Sequence, residues 1–197
     1  MKKTCFLLLF FISIGLNVFS QEHLTFKGIP IDGKLSVFVA KLIQQGFVFD
    51  SNTPNGDAAI LKGTFAGEDD CTIYVSSTPT EHIVCGVAVF LPPQTSWTML
   101  NSQYIKFRVS LISKYGTPFR ERRDFISPYY EGDGYEMQAI NQNKCDYILG
   151  INTQGGTIGL SISSDSYNSG KVLIIYQDEV NSKLKDSEME QNMIDDL

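Results

Sequence analysis

Two segments of the chain carry apolar residues three and four positions apart, which is the pattern of a helix with one buried face. Ser96 stands where the second helix needs an N-cap, and Gly116 and Pro118 follow where it ends. Asp32 and Gly46 take the corresponding places around the first helix. The two stripes are Leu35, Phe38, Val39, Leu42 and Ile43, then Trp97, Leu100, Tyr104, Phe107, Leu111 and Tyr115. The pattern predicts two amphipathic helices packed on sheets.

Short apolar or alternating runs after each helix predict β-strands. Turn residues such as Thr78-Pro79-Thr80 and Gly155-Gly156 separate these runs. Residues 119–135 are predicted to form a loop, and the acidic tail, residues 178–197, is predicted to form only a marginal helix. The predicted strands cover residues 47–49, 59–66, 71–76, 83–91, 135–141, 145–152, 157–163 and 171–177.

The order helix, glycine, strands occurs twice along the chain. Gly46 and Gly116 are 70 positions apart, and Cys71 and Cys145 are 74 apart. These shifts predict a duplicated unit of about 70–75 residues in which the two cysteines are equivalent. The predicted fold class is α+β, with two tandem units, residues 21–93 and 94–177. Each unit is a helix packed on one face of an antiparallel sheet, and the opposite sheet face stays open.

The first twenty residues have the parts of a secretory signal peptide. Lys2 and Lys3 precede an almost wholly apolar run, residues 5–19, and Val18 and Ser20 take the positions before a cleavage site. The run is shorter than the roughly 20 residues of a spanning helix, and an uncleaved anchor is the alternative interpretation. We predict that the signal peptide, residues 1–20, is removed, leaving a periplasmic or secreted bacterial protein without stable membrane insertion.

The charge of the mature chain argues against one class of partner. Without Lys2 and Lys3, 14 basic residues accompany 22 acidic ones, a net charge of −8. Binding to nucleic acid depends on clustered basic side chains on phosphates. The sequence therefore predicts no nucleic-acid partner.

Three cysteines remain after the predicted cleavage, namely Cys71, Cys85 and Cys145. An odd number in an exported protein allows at most one internal disulfide. A hairpin turning at residues 78–79 is expected to bring Cys71 near Cys85, so either a bridge or two buried thiols fits the pattern. The spacing matches no zinc motif, and only two histidines accompany the cysteines, so no metal site is predicted.

No motif for catalysis or for a cofactor is present. His23 lies at the mature terminus and His82 at a hairpin end, and neither lies beside a nucleophile motif. The turns around Glu68 and Glu131 are acidic but do not follow the calcium-loop pattern. We therefore predict no catalytic residues, no cofactor and no enzymatic activity, with a carboxylate pair assembled by folding as the alternative.

The segment 125–136, FISPYYEGDGYE, is the strongest candidate for recognition. It combines aromatic and acidic residues, and tyrosine joins a large apolar area to a polar tip, which suits contact with a protein. Closure of the core edge by some of these rings is the alternative. The predicted binding residues are Phe125, Tyr129, Tyr130, Glu131, Asp133 and Tyr135 from this segment, with Tyr74 from a sheet face.

Three stretches carry a resemblance to known proteins: LTFKGIPIDGKLSVFVAKLIQQGF, GTFAGEDDCTIYV and VAVFLPPQTSWTMLNSQYIKFRVSLISKYGTP. Across about residues 24–118 the chain resembles a group of secreted Bacteroidetes proteins of unknown function. Its helix-on-sheet repeat is similar in architecture to that of the beta-lactamase inhibitor protein. It is also similar to the small lipoprotein of the outer-membrane barrel-assembly machinery. The resemblance implies a tandem α+β fold, and it transfers no functional residue.

These observations together predict an exported, non-enzymatic binding module. Its partner is expected to be a protein or peptide, recognised through the open sheet faces and the aromatic-acidic loop. Two other classes stay open at this point: a carboxylate-dependent hydrolase, and an assembly or structural component of the cell envelope.

Overall fold

The computed structural model describes residues 22–51, 53 and 56–197, so the predicted signal peptide lies outside the described residues. The helices are α1 (Leu35–Gln44), α2 (Trp97–Tyr115), α3 (Glu136–Asn141) and α4 (Glu179–Asp195). The first strands are β1 (Thr25–Phe26), β2 (Ile29–Pro30), β3 (Val48–Phe49), β4 (Ala58–Phe65), β5 (Glu68–Ser77) and β6 (Val84–Phe90). The later ones are β7 (Arg120–Phe125), β8 (Cys145–Thr153), β9 (Gly156–Ser166) and β10 (Ser169–Asp178).

Eight of these strands form one antiparallel sheet in the order β3-β4-β5-β6-β10-β9-β8-β7. The pairing of β6 with β10 joins the strands of the two predicted units, with Ala88 opposite Ile175. β1 and β2 form a separate small hairpin. The α+β class with a large antiparallel sheet is therefore confirmed, and the strands from both parts of the chain share a single continuous sheet.

The hydrophobic core lies on the side of the sheet that faces α1 and α2. Alternate residues of each long strand point into it, for example Ile73 and Val75 of β5. Phe38 and Leu42 of α1 reach it from the helix layer, and the Leu100, Tyr104, Phe107 and Leu111 stripe of α2 joins the same cluster. The helical spacing read from the sequence therefore marks the buried faces of both helices.

The helix ends agree only partly with the sequence. Ser96 caps α2 by accepting a hydrogen bond from the Met99 amide at 3.4 Å, and Gly116 follows at φ 95°. The N-cap of α1 is Lys34, which makes no side-chain capping bond, so the prediction of an Asp32 cap is wrong. The Asp32 carboxylate accepts a hydrogen bond from Asn181 of α4 instead.

Three predicted elements need correction. Arg120–Phe125 is an edge strand paired with β8, not a loop. The strand was missed because its charged residues, which are common on edge strands, obscure the alternating pattern. Residues 136–141 form α3, since Glu136, Ala139 and Ile140 are buried at helical spacing. The tail forms the 17-residue α4, anchored by Asp178, whose side chain accepts from the Asn181 amide. Tertiary contacts outweigh the weak local pattern in each case.

The three cysteines within the described residues are free thiols, which contradicts the alternative of a Cys71–Cys85 bridge. The Cys85 sulfur contacts the Ser76 hydroxyl at 3.6 Å. Ser76 lies five residues along β5 from Cys71, or about 16 Å at the usual strand rise. A disulfide requires Cα atoms within about 7 Å of each other. The expected equivalence of Cys71 and Cys145 is also wrong. Cys71 lies on β5, which is next to β6, whereas Cys145 lies on β8, which is separated from β10 by β9.

Thiol counting checks this arrangement. The mature protein, residues 21–197, is expected to show three reactive thiols in denaturant without a reducing agent. The native protein should react far more slowly, because burial raises the pKa of Cys71 to about 11 and of Cys145 to about 12 and leaves little thiolate. A reduced sample serves as the control. A count of one thiol before reduction and three after it would contradict the structure.

Among the described residues, no helix is both long enough and apolar enough to cross a membrane.

Candidate functional site

The face of the sheet opposite α1 and α2 is not covered by these two helices. We call it the open face. The residues that alternate with the core positions lie here, and many of them are half-exposed. Its apolar members are Ile60, Tyr74, Ala88, Phe90, Ile148, Leu173 and Ile175. A group of accessible apolar side chains on one face of a sheet is typical of an interaction site.

Strand register arranges these side chains in rows across the sheet. One row joins Tyr74, Ala88, Ile175, Gly159 and Gly150 through successive cross-strand pairs. Five strands at about 4.8 Å spacing make this row roughly 20 Å long. The neighbouring row joins Phe90, Leu173, Ser161 and Ile148. Two adjacent rows of this length form a surface wide enough for a protein partner.

Glycine gives the open face its shape at the β8 end. Gly150 leaves room for the ring of Phe119, whose Cζ lies 2.8 Å from where a Cβ on residue 150 would stand. The Phe119 side chain is 60% exposed and Ile175 is 40% exposed. The ring of Phe119 therefore covers Gly150, and Gly159 lies low between this ring and Ile175.

The charged residues of the open face are mostly paired with each other. Arg122 contacts Asp146 at 2.7 Å, and Lys171 contacts Asp165 at 2.9 Å. The Lys171 ammonium also lies 4.9 Å from the centre of the Phe90 ring. Arg120 has no ion pair among the described residues. The charges thus surround an apolar centre, as a polar rim surrounds the core of an interface.

α4 borders the open face at one end. Ser182, Lys185 and Asp186 of this helix line a cavity of about 240 Å³ together with Gly86 and Gln177 of the sheet. The sequence predicted an open face, but it did not predict a helical wall beside it.

The structure separates the residues that the sequence proposed as one site. Tyr74 lies on the open face, whereas the segment 125–136 lies on the helix side, where Glu131 accepts a hydrogen bond from Asn101 of α2 at 3.4 Å. The ring of Phe125 packs against Trp97 at 5.1 Å and Tyr147 at 5.6 Å. Phe125 is therefore a core-edge residue, as the alternative interpretation held.

The acidic residues of the loop hold its backbone. Asp133 accepts hydrogen bonds from the amides of Tyr130 at 3.0 Å and Tyr135 at 2.7 Å. Glu136 accepts from the Gly132 amide at 2.8 Å. Tyr129 is half-buried, but Tyr130 and Tyr135 are 65% and 60% exposed. The loop thus presents two tyrosines on a braced backbone, on the opposite side from the open face.

A buried polar cluster joins the two ends of the described chain. The Asp178 carboxylate is fully buried and accepts from the amides of Leu24 at 2.8 Å and Asn181 at 2.9 Å. His23 lies 3.2 Å from Asp178 and 3.7 Å from Asp32. We call the four side chains of His23, Asp32, Asp178 and Asn181 the terminal clasp. No sequence motif marked it, because its members lie about 150 positions apart.

The terminal clasp is structural in its chemistry. Burial raises the pKa of Asp32, but hydrogen bonds from Asn181 and Gly33 and the nearby His23 outweigh it, so this pKa lies below its usual value. No serine, threonine or cysteine side chain of the described residues hydrogen-bonds to His23. The cluster therefore lacks the nucleophile that an acid–histidine pair would activate.

The carboxyl groups give little support to a hydrolase. Where the pKa of an Asp or Glu departs clearly from its ordinary value, it is lowered, as at Glu68, whose carboxylate hydrogen-bonds to Lys106. A cavity of about 550 Å³ is lined by Glu179, whose pKa is lowered by its hydrogen bond to Lys183. A general acid needs the opposite shift. Within the described residues no cluster of three His, Cys, Asp or Glu side chains could hold a metal ion.

Comparison with known proteins adds no relative from which a function could be transferred. No protein-family model, no curated protein and no solved structure matches this chain. The function has to be argued from the surface itself, since a fold alone does not define an activity.

Proposed function

We propose that this protein is an exported, non-enzymatic binding module that recognises a protein partner through the open face. The observation that carries the proposal is the uncovered apolar area of the eight-stranded sheet around Tyr74, Ile175 and Phe119. Tyr130 and Tyr135 form a second, smaller contact surface on the other side. A periplasmic or secreted location belongs to the same proposal and rests on the signal-like segment 1–20.

A broad protein surface suits the open face better than a single peptide strand does. A peptide that extends the sheet needs a free and accessible edge. One edge, β3, is only two residues long, and the other, β7, carries a run of charged residues. Both features discourage strand addition. The apolar rows run across the middle of the sheet, where only a partner lying on the face can reach them.

The architecture that we propose behind this surface is a duplicated unit. The order β3-β4-β5-β6 is mirrored by β7-β8-β9-β10 about the β6–β10 pair, and α1 and α2 precede the two sets. This symmetry supports tandem units at residues 21–93 and 94–177. A copied unit would enlarge the open face by extending one sheet.

A matched pair of variants tests the proposed function. The mature chain is used as bait in an envelope extract of the organism that produces it. Ile175→Lys places a charge in the apolar centre of the open face, and Val37→Lys makes the same change at an exposed position of α1. We expect one stoichiometric partner to bind wild type and Val37→Lys, and to bind Ile175→Lys at least about tenfold more weakly, as for loss of a central interface residue.

The opposite pattern would count against the proposal. A partner that Ile175→Lys retains at full affinity does not use the open face. If Tyr130→Ala or Tyr135→Ala abolishes its binding instead, the loop on the helix side is the binding surface. Both outcomes require that circular dichroism shows the variants folded.

A further inference from the structure

A second cavity, of about 310 Å³, opens on the helix side of the sheet, away from the open face. Ile174 and Tyr176 of β10 line it from the sheet, and Phe107 and Leu111 line it from α2. Its volume lies at the lower end of the range of small-molecule sites, about 300–1,000 Å³. Its place in the fold makes it independent of the protein-binding surface proposed above.

The apolar wall of this cavity is a packed aromatic cluster. Phe65, in the lining, stacks on Phe26 at 5.6 Å and on Phe107 at 6.3 Å. Phe26 in turn meets the ring of Tyr176 edge-on at 5.3 Å. Ring pairs of this geometry restrain one another. The cavity is therefore already formed without a ligand, so that binding does not have to order its walls.

The charge of the lining departs from that of the whole protein. Lys27, Lys106 and Lys114 line the cavity, and no carboxylate does, although acidic residues outnumber basic ones in the chain by 22 to 16. Lys106 is neutralised by Glu68. Lys27 and Lys114 have no ion pair among the described residues and lie against the rings of Phe47 and Tyr115, at 5.0 and 4.8 Å. Two lysines without an ion pair thus belong to the lining of an apolar cavity.

Two tyrosine hydroxyls add neutral polar groups. Tyr115 and Tyr176 both line the cavity. Burial, together with the charge and hydrogen bond of Tyr115, raises the pKa of Tyr176, so its hydroxyl stays protonated and polar. A few fixed polar groups in an apolar lining are what orients a small ligand.

We propose that this cavity binds a small carboxylic acid with an apolar body, such as a medium-chain fatty acid. Its carboxylate lies between Lys27 and Lys114. Its apolar body packs on Phe107, Leu111 and Ile174. An amine of the same shape would be repelled by the lysines. An alcohol would bring no negative charge to pair with the two ammonium groups. A charge-assisted bond to an ammonium is the contact that a carboxylate prefers.

Isothermal titration calorimetry with octanoate, octanol and octylamine tests the ligand class on the mature protein, residues 21–197. We expect saturable binding of octanoate only, weakening as salt is raised, because exposed charges are screened. Equal binding of octanol and octanoate would show a merely apolar pocket and overturn the proposal. So would the absence of saturable octanoate binding.

Variants locate the site. Lys27→Met with Lys114→Met keeps the apolar stems, removes both charges, and is expected to weaken octanoate binding at least about tenfold. Ser110→Trp, at an exposed position of the lining on α2, is expected to block the cavity. Lys41→Met, an exposed lysine on α1, is the matched control and should bind as wild type. Octanoate binding that survives both the double variant and Ser110→Trp would overturn the assignment.

Discussion

Asp178→Ala is expected to lower the free energy of unfolding by about 3–5 kcal/mol, the range for removing one partner of a buried charged cluster. The carboxylate is fully buried and accepts hydrogen bonds from the amides of Leu24 and Asn181. Alanine leaves both amides without an acceptor, and it also removes the partner of His23. Each unsatisfied buried group costs about 1–3 kcal/mol.

Urea denaturation of the mature protein measures this effect. Glu179→Ala is the matched control, because Glu179 is the next residue, is exposed and pairs only with Lys183 at the helix surface. We expect the midpoint to fall for Asp178→Ala and to stay near wild type for Glu179→Ala. Equal midpoints for all three proteins would show that the terminal clasp does not hold the N-terminal segment to α4.

Gly156→Ala is expected to cost more than about 4 kcal/mol, or to prevent folding, because the new methyl group meets backbone that cannot move aside. A Cβ at residue 156 would lie 2.0 Å from the Gln177 carbonyl oxygen. That carbonyl belongs to β10, and Gly156 pairs with Asp178 on the same strand. Relief of the clash would open the β9–β10 ladder and displace Asp178 from its partners.

A second glycine of β9 provides the control for this prediction. A Cβ at Gly159 would meet its nearest atoms at 3.9 Å, an ordinary contact. Thermal unfolding followed by circular dichroism should therefore give a transition close to wild type for Gly159→Ala. Gly156→Ala should show either a strongly lowered transition or no folded signal. A Gly156→Ala protein as stable as Gly159→Ala would contradict the backbone geometry at the end of β9.

The local pattern of apolar residues was enough to predict the helices and strands in which buried side chains recur at helical or alternating spacing. The stripe of Leu100, Tyr104 and Phe107 predicted α2, and the alternation in β5 predicted both its core face and Tyr74 on the open face. At such positions the spacing of apolar residues indicates which side chains are buried. The open face followed directly from them.

Elements that depend on pairing with distant segments of the chain could not be predicted from the sequence. β7 is a strand because it pairs with β8, although nearly every one of its residues is exposed and most are charged. The β6–β10 pairing that makes one sheet joins segments far apart in the chain, and register between them has no local signal. The terminal clasp could not be predicted for the same reason, because its residues come from distant segments. The sequence also could not show that Tyr74 and the tyrosine loop lie on opposite sides of the sheet.

Site-specific photo-crosslinking in the producing cells shows which side of the sheet a partner contacts. A benzoylphenylalanine probe replaces Ile175 on the open face in one strain, and Val37 on the outer side of α1 in another. These exposed apolar positions lie on opposite sides of the sheet. If the partner binds the open face, we expect one discrete protein adduct from position 175 and none from position 37. An adduct from position 37 alone would contradict it.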